Sequence, residues 1–516
     1  MSKSISLIWL IKSLTKNEKK LFCIMSSGDK KGQTDKDYVT LFKIIEKKKD
    51  TTVEAIIKEY QRKCPQSSFN TTVSYLFESL VSTMAYAHRD NNNEVRLYNM
   101  LIKARILFEK SIYEECFSLI ELIKKEATLL ENNYVLLMAK RMELDFNAAL
   151  GFIDMNETTL LNRQASISES IKKLQILNEQ SSLYELLKYR IENRGVVRSP
   201  KQKNELNDLV ISELSILSRS GSETSQIKKT HKLFQSYYLL SVGDYNSAIN
   251  SFGELMNLLD SNSQLWNNSP VDYLLTTEGI LKSLRTTKSY EGMKLFIQKL
   301  RDLDCSDYPL YFQLEVQCVT LLYTLSYLLD TGRFQEAMNE VSRNNENLYI
   351  KKNLLSFNRQ IELSLYTCIV YFVHGDYKNA LKQVRYTDIS HKKLNFTPLY
   401  KTVRLLKLII HYELGDIDYI TSEGRSIQRS LSLELKNYKI EPLIFKVINQ
   451  DIQSMSKTKR ETMWKKIKPL VETIRMDKYE MQLLHPFDFT VWIESKLLKI
   501  PISVFLRNQM VKPTEI

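Results

Sequence analysis

The chain contains few of the residues that interrupt helices. Its 516 residues include only 13 Gly and 10 Pro. A β-sandwich or β-barrel needs a turn signal about every 8–12 residues, so glycine and proline are too scarce for either architecture. The composition therefore favours a helical protein, and the length exceeds what one ordinary globular core contains. We expect either several domains or an elongated array of repeats.

Cysteine pairs and long apolar runs are also missing. The six cysteines show no C-x-x-C spacing, and most lie in apolar helical segments, where a reduced and buried thiol is the usual state. No segment approaches the roughly 20 apolar residues that span a bilayer. Lys12 and Lys16 interrupt the short apolar run near the start, which argues against a signal peptide. We predict a cytoplasmic protein with no membrane partner.

Motifs that indicate catalysis are absent from the sequence. It contains no H-E-x-x-H, no G-x-x-x-x-G-K-[ST], no G-x-S-x-G and no G-x-G-x-x-G after a strand. Acidic pairs such as Glu114 and Glu115 are adjacent, so they point in different directions on a helix and make a poor general acid and base. We predict no catalytic site, no cofactor and no metal, and therefore a protein that is not an enzyme.

A short turn sequence recurs down the second half of the chain. Its four clear copies are Gly243-Asp244-Tyr245, Gly332-Arg333-Phe334, Gly375-Asp376-Tyr377 and Gly415-Asp416-Ile417. Tyr290 lies where a fifth copy is expected, and the copies are 40 to 45 residues apart. A small residue follows three of them: Ala248, Ala337 and Ala380. A fixed period of this size indicates stacked repeats, each of which buries its apolar face against its neighbours.

Each residue of this turn has a mechanical role. The glycine can adopt the left-handed conformation that ends a first helix, and the aspartate can cap a second one. The aromatic residue then packs between the two helices, and the alanine lets them approach closely. We place two-helix units at residues 225–260, 269–304, 307–348, 353–390 and 397–431. His374 and His411 fall near the ends of first helices, where a packing role is expected.

The turn resembles the inter-helix turn of tetratricopeptide repeats (TPR), which reads Gly-Asp-Tyr-x-x-Ala with a large apolar residue four positions later. Phe252, Val341 and Val384 occupy that last position. The period here is longer than the usual one of about 34 residues, and the terminal proline of the family is missing. The resemblance implies an all-α, right-handed α-solenoid, a TPR-like superhelix. It transfers no peptide-binding residue to this chain.

The whole chain resembles a second family, and two end segments carry the resemblance. Residues 13–20 (SLTKNEKK) are similar to the opening, and residues 487–496 (FDFTVWIESK) to the ending, of an uncharacterised family of bacterial helical-repeat proteins. This resemblance implies one all-helical architecture and adds no functional site.

The N-terminal segment is predicted to be a basic four-helix module. Thr15 and Glu18 form a capping box at the first of four helices within residues 15–90. The tight break between the second and third helices permits a helix-turn-helix. Residues 1–110 contain 20 Lys and Arg against 12 Asp and Glu, a net charge of +8 out of +13.

Six cations lie at this break and on the third helix: Lys47, Lys48, Lys49, Lys58, Arg62 and Lys63. Phosphate recognition requires such side chains, so they are candidate nucleic-acid ligands. The alternative is an ordinary solvated helix face.

The chain divides into four predicted segments. They are a helical module with a candidate helix-turn-helix (residues 1–92), irregular helical repeats (93–200), regular TPR-like repeats (201–433) and a C-terminal helical cap (434–516). We expect a non-catalytic scaffold that binds a protein or peptide on the concave face of residues 225–431. The alternative is a bacterial regulator whose N-terminal module binds nucleic acid while the repeats act as a sensor. The sequence does not indicate the oligomeric state.

Overall fold

A computed structural model describes most of the chain. The described residues are 3–26, 36–47, 52–87, 89, 92–153, 155–194, 197, 200–219, 224–262, 271–303, 308–344, 348–385, 397–433, 438–450, 452, 454–477 and 479–510. They form helices and no strand, which confirms the all-α fold class. Among them, no helix is both long and apolar enough to cross a bilayer. The chain forms two compact units, Met1–Leu174 and Gln175–Ile516, which divide within one long helix.

The first unit contains eight helices and the start of a ninth in its described part. Their bounds are α1 Lys3–Ser13, α2 Lys16–Ser26, α3 Asp37–Lys47, α4 Val53–Lys63, α5 Phe69–Ala87, α6 Asn93–Glu109, α7 Tyr113–Leu129, α8 Asn133–Ala149 and α9 Glu157–Arg194. Helices α2 to α5 are the four predicted ones. The predicted capping box is present: the Thr15 N–H donates to Glu18 Oε2 (2.7 Å), and the Glu18 N–H donates to Thr15 Oγ1 (3.3 Å). Helix α1 packs on α3 and α5 and was not predicted.

The first unit contains the same inter-helix turn with other residues in the place of glycine. After α6, Ser111 adopts a left-handed conformation (φ 61°), and the Ile112 N–H donates to the Leu107 carbonyl at 3.0 Å. After α7, Glu131 does the same (φ 50°). This arrangement caps the orphan carbonyls of a helix end, and it costs a residue with a Cβ some strain. Local sequence therefore underestimates how often the turn is used.

The second unit contains the regular repeats. Its described helices after α9 are α10 Pro200–Asn204, α11 Asn207–Arg219, α12 Ser225–Val242, α13 Tyr245–Ser261, α14 Val271–Thr286, α15 Tyr290–Asp302, α16 Leu310–Asp330, α17 Phe334–Asn344, α18 Phe357–Val373, α19 Tyr377–Val384, α20 Pro398–Leu414, α21 Ile417–Leu433, α22 Ile440–Ile448, α23 Lys457–Met476, α24 Met481–Leu484, α25 Phe489–Leu498 and α26 Ile502–Met510, with a 3₁₀ turn at Lys352–Leu354. Helices α12 to α21 form the five predicted pairs.

The repeat turns have the predicted geometry. Four glycines take left-handed conformations: Gly243, Gly332, Gly375 and Gly415. At the fifth copy Lys288 takes the same conformation (φ 58°), ahead of Tyr290. The Asp244 side chain accepts the Ser247 N–H at 3.2 Å and so caps α13. The alanines at the close approaches, Ala248, Ala337 and Ala380, are fully buried.

Consecutive helices from α12 to α21 pack on each other along the chain. In addition, the first helices of neighbouring pairs contact one another: α12 with α14, α14 with α16, α16 with α18, and α18 with α20. One apolar core extends through all five pairs and into the C-terminal helices. This organisation is that of stacked helical pairs. The right-handed superhelix and the four-segment division stay predictions.

Candidate functional site

The first helices of three successive pairs carry a shared charge cluster. Arg359 on α18 donates from Nη1 and Nη2 to the two carboxylate oxygens of Glu278 on α14, at 2.7 and 2.6 Å. Its Nε donates to Glu315 on α16 (3.1 Å), and its Nη1 also donates to Glu362 (2.9 Å). We call the surface formed by Glu278, Glu315, Arg359 and Glu362 the first-helix face. One guanidinium thus joins three repeats.

This cluster is only partly shielded from water. The exposed fraction of the side chain is 14% for Arg359, 19% for Glu278, 27% for Glu315 and 31% for Glu362. Charge-assisted and bidentate hydrogen bonds are the strong class in such surroundings. The first-helix face therefore combines a rigid centre with carboxylates that water, or a partner, can reach.

Two carboxylates of the cluster have pKa values shifted in opposite directions. Burial opposes ionisation of Glu278, but the bidentate Arg359 outweighs it and lowers the pKa of Glu278 below its ordinary value. For Glu362, burial raises the pKa, and the negative charge of Glu278 adds to this rise despite Arg359. Lys282 offsets part of the negative charge at both groups. Of these two carboxylates, Glu362 is the one whose burial the neighbouring cations do not offset.

A second arginine, Arg285, joins the same three helices; we call the Arg359 and Arg285 contacts the two clamps. Arg285 on α14 donates to both carboxylate oxygens of Asp330 on α16, at 2.6 and 3.0 Å, and also to the Tyr366 hydroxyl on α18. Arg285 is buried. Its burial alone would lower its pKa, but Asp330 outweighs burial and raises it, so the arginine stays charged. The two clamps fix the spacing of the first helices.

The C-terminal segment, residues 479–498, packs against these first helices. The contacts reach three of them: Thr286 Oγ1 to His485 Nε2 (3.0 Å) on α14, the Phe372 and Phe487 rings (5.5 Å between centroids) on α18, and Thr402 Oγ1 to the Leu483 carbonyl (3.3 Å) on α20. Trp492 Nε1 donates to Glu413 at 2.8 Å. Phe487, Phe489 and Trp492 are buried, and Trp464 is half-buried. The C-terminal segment therefore contacts several repeats of the array, and its role as a cap stays a prediction.

The basic residues of the N-terminal module lie on a solvent face where they are described. Helix α4 buries Ile56 and Tyr60, whereas Lys58, Arg62 and Lys63 are exposed. Lys47 at the end of α3 is also exposed. Lys63 forms an ion pair with Glu59 at 3.3 Å. Lys48 and Lys49 lie outside the described residues.

The two histidines near the repeat turns make local contacts. His374 Nδ1 donates to the Val370 carbonyl at 2.9 Å. His411 Nδ1 lies 2.9 Å from Asp416, and its ring stacks on Tyr419 with 3.6 Å between centroids. Both arrangements agree with the predicted packing role. In the described part of the chain, no group of three or more His, Cys, Asp or Glu side chains could hold a metal ion.

The Arg359 cluster was not predicted, although the spacing of its charged residues in the sequence indicates it. Glu315 and Arg359 are 44 residues apart, and Arg285 and Asp330 are 45 apart. These separations match the repeat period, so opposite charges at equivalent positions of neighbouring first helices could have been paired from the sequence.

No protein-family model, curated protein or solved structure matches this chain. The resemblance to TPR proteins and to the bacterial helical-repeat family therefore stays a prediction.

Proposed function

We propose that the chain is a non-catalytic, TPR-like scaffold that holds a protein or peptide partner against its first helices. The observation that carries the proposal is the packing of the chain's own residues 479–498 on α14, α18 and α20. A surface that accepts one polypeptide segment through aromatic and hydrogen-bond contacts has suitable chemistry for another. A preformed helical surface also binds at a low ordering cost.

The charge of the first-helix face indicates the chemistry of the partner. Three carboxylates surround one guanidinium, and at Glu362 the neighbouring cations do not offset the effect of burial. A cationic side chain of a partner would relieve this imbalance and would meet carboxylates that are already held in place. The expected partner segment therefore carries Lys or Arg.

A photo-crosslinking amino acid at Tyr311 tests this proposal in the full chain. Tyr311 is 57% exposed and lies one helical turn before Glu315, on the same face of α16. The matched control is Leu295 on the second helix α15, which is also 57% exposed. We expect a discrete partner adduct from position 311 and none from position 295. Glu362→Gln should lower the yield about fivefold, which corresponds to about 1 kcal/mol.

Equal adducts from both positions would show that the face has no special role. Absence of any adduct at position 311, in cells that express the protein, would remove the scaffold proposal.

A second candidate function is nucleic-acid binding by the N-terminal module. The observation that favours it is the common solvent face of Lys58 and Arg62 on α4, with Lys47 exposed at the end of α3. Lysine and arginine side chains in this arrangement can neutralise phosphates. Under this alternative, the repeats would act as the sensor of a regulator.

The salt dependence of binding tests this candidate. Each phosphate contact contributes about −0.9 to the slope of log K against log salt for duplex DNA. Replacing Lys58, Arg62 and Lys63 by alanine should reduce the magnitude of the slope by about two to three units, measured by fluorescence anisotropy. A control with the same charge change, Lys103, Arg105 and Lys110 to alanine, removes exposed cations of α6 and the residue that follows it. Equal slopes for both triple variants would contradict a site on α4.

A further inference from the structure

A cavity of about 430 Å³ lies at the turn end of α18 and α20, and residues of α25 and α26 also line it. Ligand pockets start at about 300 Å³, so the space suits a small molecule. Four aromatic rings line it: Phe372, Tyr377, Tyr412 and Trp492. They come from four helices, and the Tyr412 and Trp492 rings meet edge to face at 5.7 Å. Phe372 and Trp492 are buried, whereas Tyr377 and Tyr412 are half-buried, so the two tyrosine rings are the ones that a flat apolar body would contact.

The polar groups of the cavity leave one positive charge uncompensated. Glu413 accepts Trp492 Nε1–H at 2.8 Å and Lys496 Nζ at 2.5 Å, so each of its carboxylate oxygens has a partner and its charge is balanced. Lys499 also lines the cavity and is exposed, without a partner among the described residues. Its ammonium group is the one available to a ligand.

One further feature favours an anion at this position. His374 also lines the cavity, but its Nδ1–H is used by the Val370 carbonyl, so we assign it no role in binding. Ile502 and Ser503 at the N-terminus of α26 also line it, and the first N–H groups of a helix have no partner within the helix. Burial, with a smaller contribution from Glu413, raises the pKa of Tyr377 to about 12, so its hydroxyl keeps its proton.

We propose that this cavity binds a small organic anion with a flat, aromatic body, whose carboxylate or phosphate lies against Lys499 and the start of α26. The Tyr377 and Tyr412 rings contact the body of the ligand, while Glu413, paired with Lys496, fixes the buried Trp492 in place. The proposal concerns a site separate from the charge cluster of the first-helix face, and it stands without the scaffold function.

Lys499 can be replaced by glycine without straining the backbone, and this variant tests the proposal. It adopts a left-handed conformation (φ 54°), which glycine takes without strain. Lys499→Gly therefore removes the ammonium group while favouring the existing backbone, and it should raise the melting temperature. Lys288 has the same conformation (φ 58°) at a repeat turn and does not line the cavity. Lys288→Gly is the matched control for charge and for backbone.

The probes are 4-nitrophenyl phosphate, 4-nitrobenzoate, the neutral 4-nitrobenzyl alcohol and inorganic phosphate, each titrated into the full chain by calorimetry. We expect at least one nitroaromatic anion to bind more tightly than the alcohol and than inorganic phosphate, and the tighter of the two anions identifies the acidic group. Lys499→Gly should weaken that binding about tenfold or more, while Lys288→Gly leaves it unchanged.

Four results would overturn the proposal. They are equal binding of the neutral alcohol, equal binding of inorganic phosphate alone, unchanged affinity in Lys499→Gly together with its expected rise in melting temperature, and no binding of either anion at about 1 mM.

Discussion

Replacing Arg359 by methionine is expected to lower the free energy of unfolding by about 3–5 kcal/mol. The substitution keeps most of the aliphatic volume but leaves Glu278, Glu315 and Glu362 together without their shared cation. Removing one partner from a shielded ion pair leaves an uncompensated charge, which costs far more than the pair contributes when intact. The midpoint of urea unfolding, followed by circular dichroism, measures the loss.

The control is Arg333→Ala at a repeat turn. Arg333 also pairs with a carboxylate, Glu336, but the exposed fractions of the two side chains are 44% and 52%. Exposed pairs contribute little, so we expect a change within about 0.5 kcal/mol. If the two variants unfolded at the same urea concentration, the Arg359 cluster would be no more than a surface ion pair.

The repeat turns could be predicted because each residue of the motif acts locally. Gly243 ends a helix through its own backbone conformation, and Asp244 caps the next helix through a hydrogen bond three residues away. Such features are encoded within a few positions. The aromatic and alanine positions follow from the same spacing, which is why the five helix pairs match their predicted places.

Turns without glycine were harder to predict. The turn after α6 has an aromatic residue, Tyr113, in the position that the repeat turns use, but Glu131 adopts the left-handed conformation after α7 with no local signal. The Asn132 N–H nevertheless donates to the Ala127 carbonyl at 2.8 Å, as in the glycine turns. The packing of the flanking helices stabilises this turn against the preference of its own residue. That contribution cannot be read from a single stretch of sequence.

The candidate sites depend on contacts that are distant in the chain. Arg359 and Glu278 are 81 residues apart, and Trp492 and Glu413 are 79 apart. The sequence predicts a C-terminal helical cap, but not that His485 and Phe487 contact two different first helices. The cavity at Lys499 needs side chains from several helices at once. Composition and spacing indicate which residues are buried, whereas the contacts of each side chain can be identified only from the folded structure.

A glycine on the first helix α14 provides the second large expected effect. A Cβ atom at Gly279 would lie 2.3 Å from Cζ of Phe252, well inside van der Waals contact. Phe252 is fully buried, and its ring also meets Tyr237 edge to face at 5.5 Å, so it has little room to move. We expect Gly279→Ala to lower the free energy of unfolding by about 1–3 kcal/mol through overpacking, despite the better helix propensity of alanine.

Gly253 supplies the matched control, because it is also a helical glycine and directly follows Phe252. A Cβ atom there would meet nothing within 4 Å. Gly253→Ala should therefore stabilise the protein by about 0.5–1 kcal/mol, the opposite sign for the same substitution. Phe252→Leu shortens the obstructing side chain, so adding Gly279→Ala to it should cost at least about 1 kcal/mol less than in the natural sequence. The cycle compares the urea midpoints of the natural protein, Gly279→Ala, Phe252→Leu and the double variant. If Gly279→Ala were as stabilising as Gly253→Ala, the ring of Phe252 would not pack against this glycine, and the close contact between α13 and α14 would be wrong.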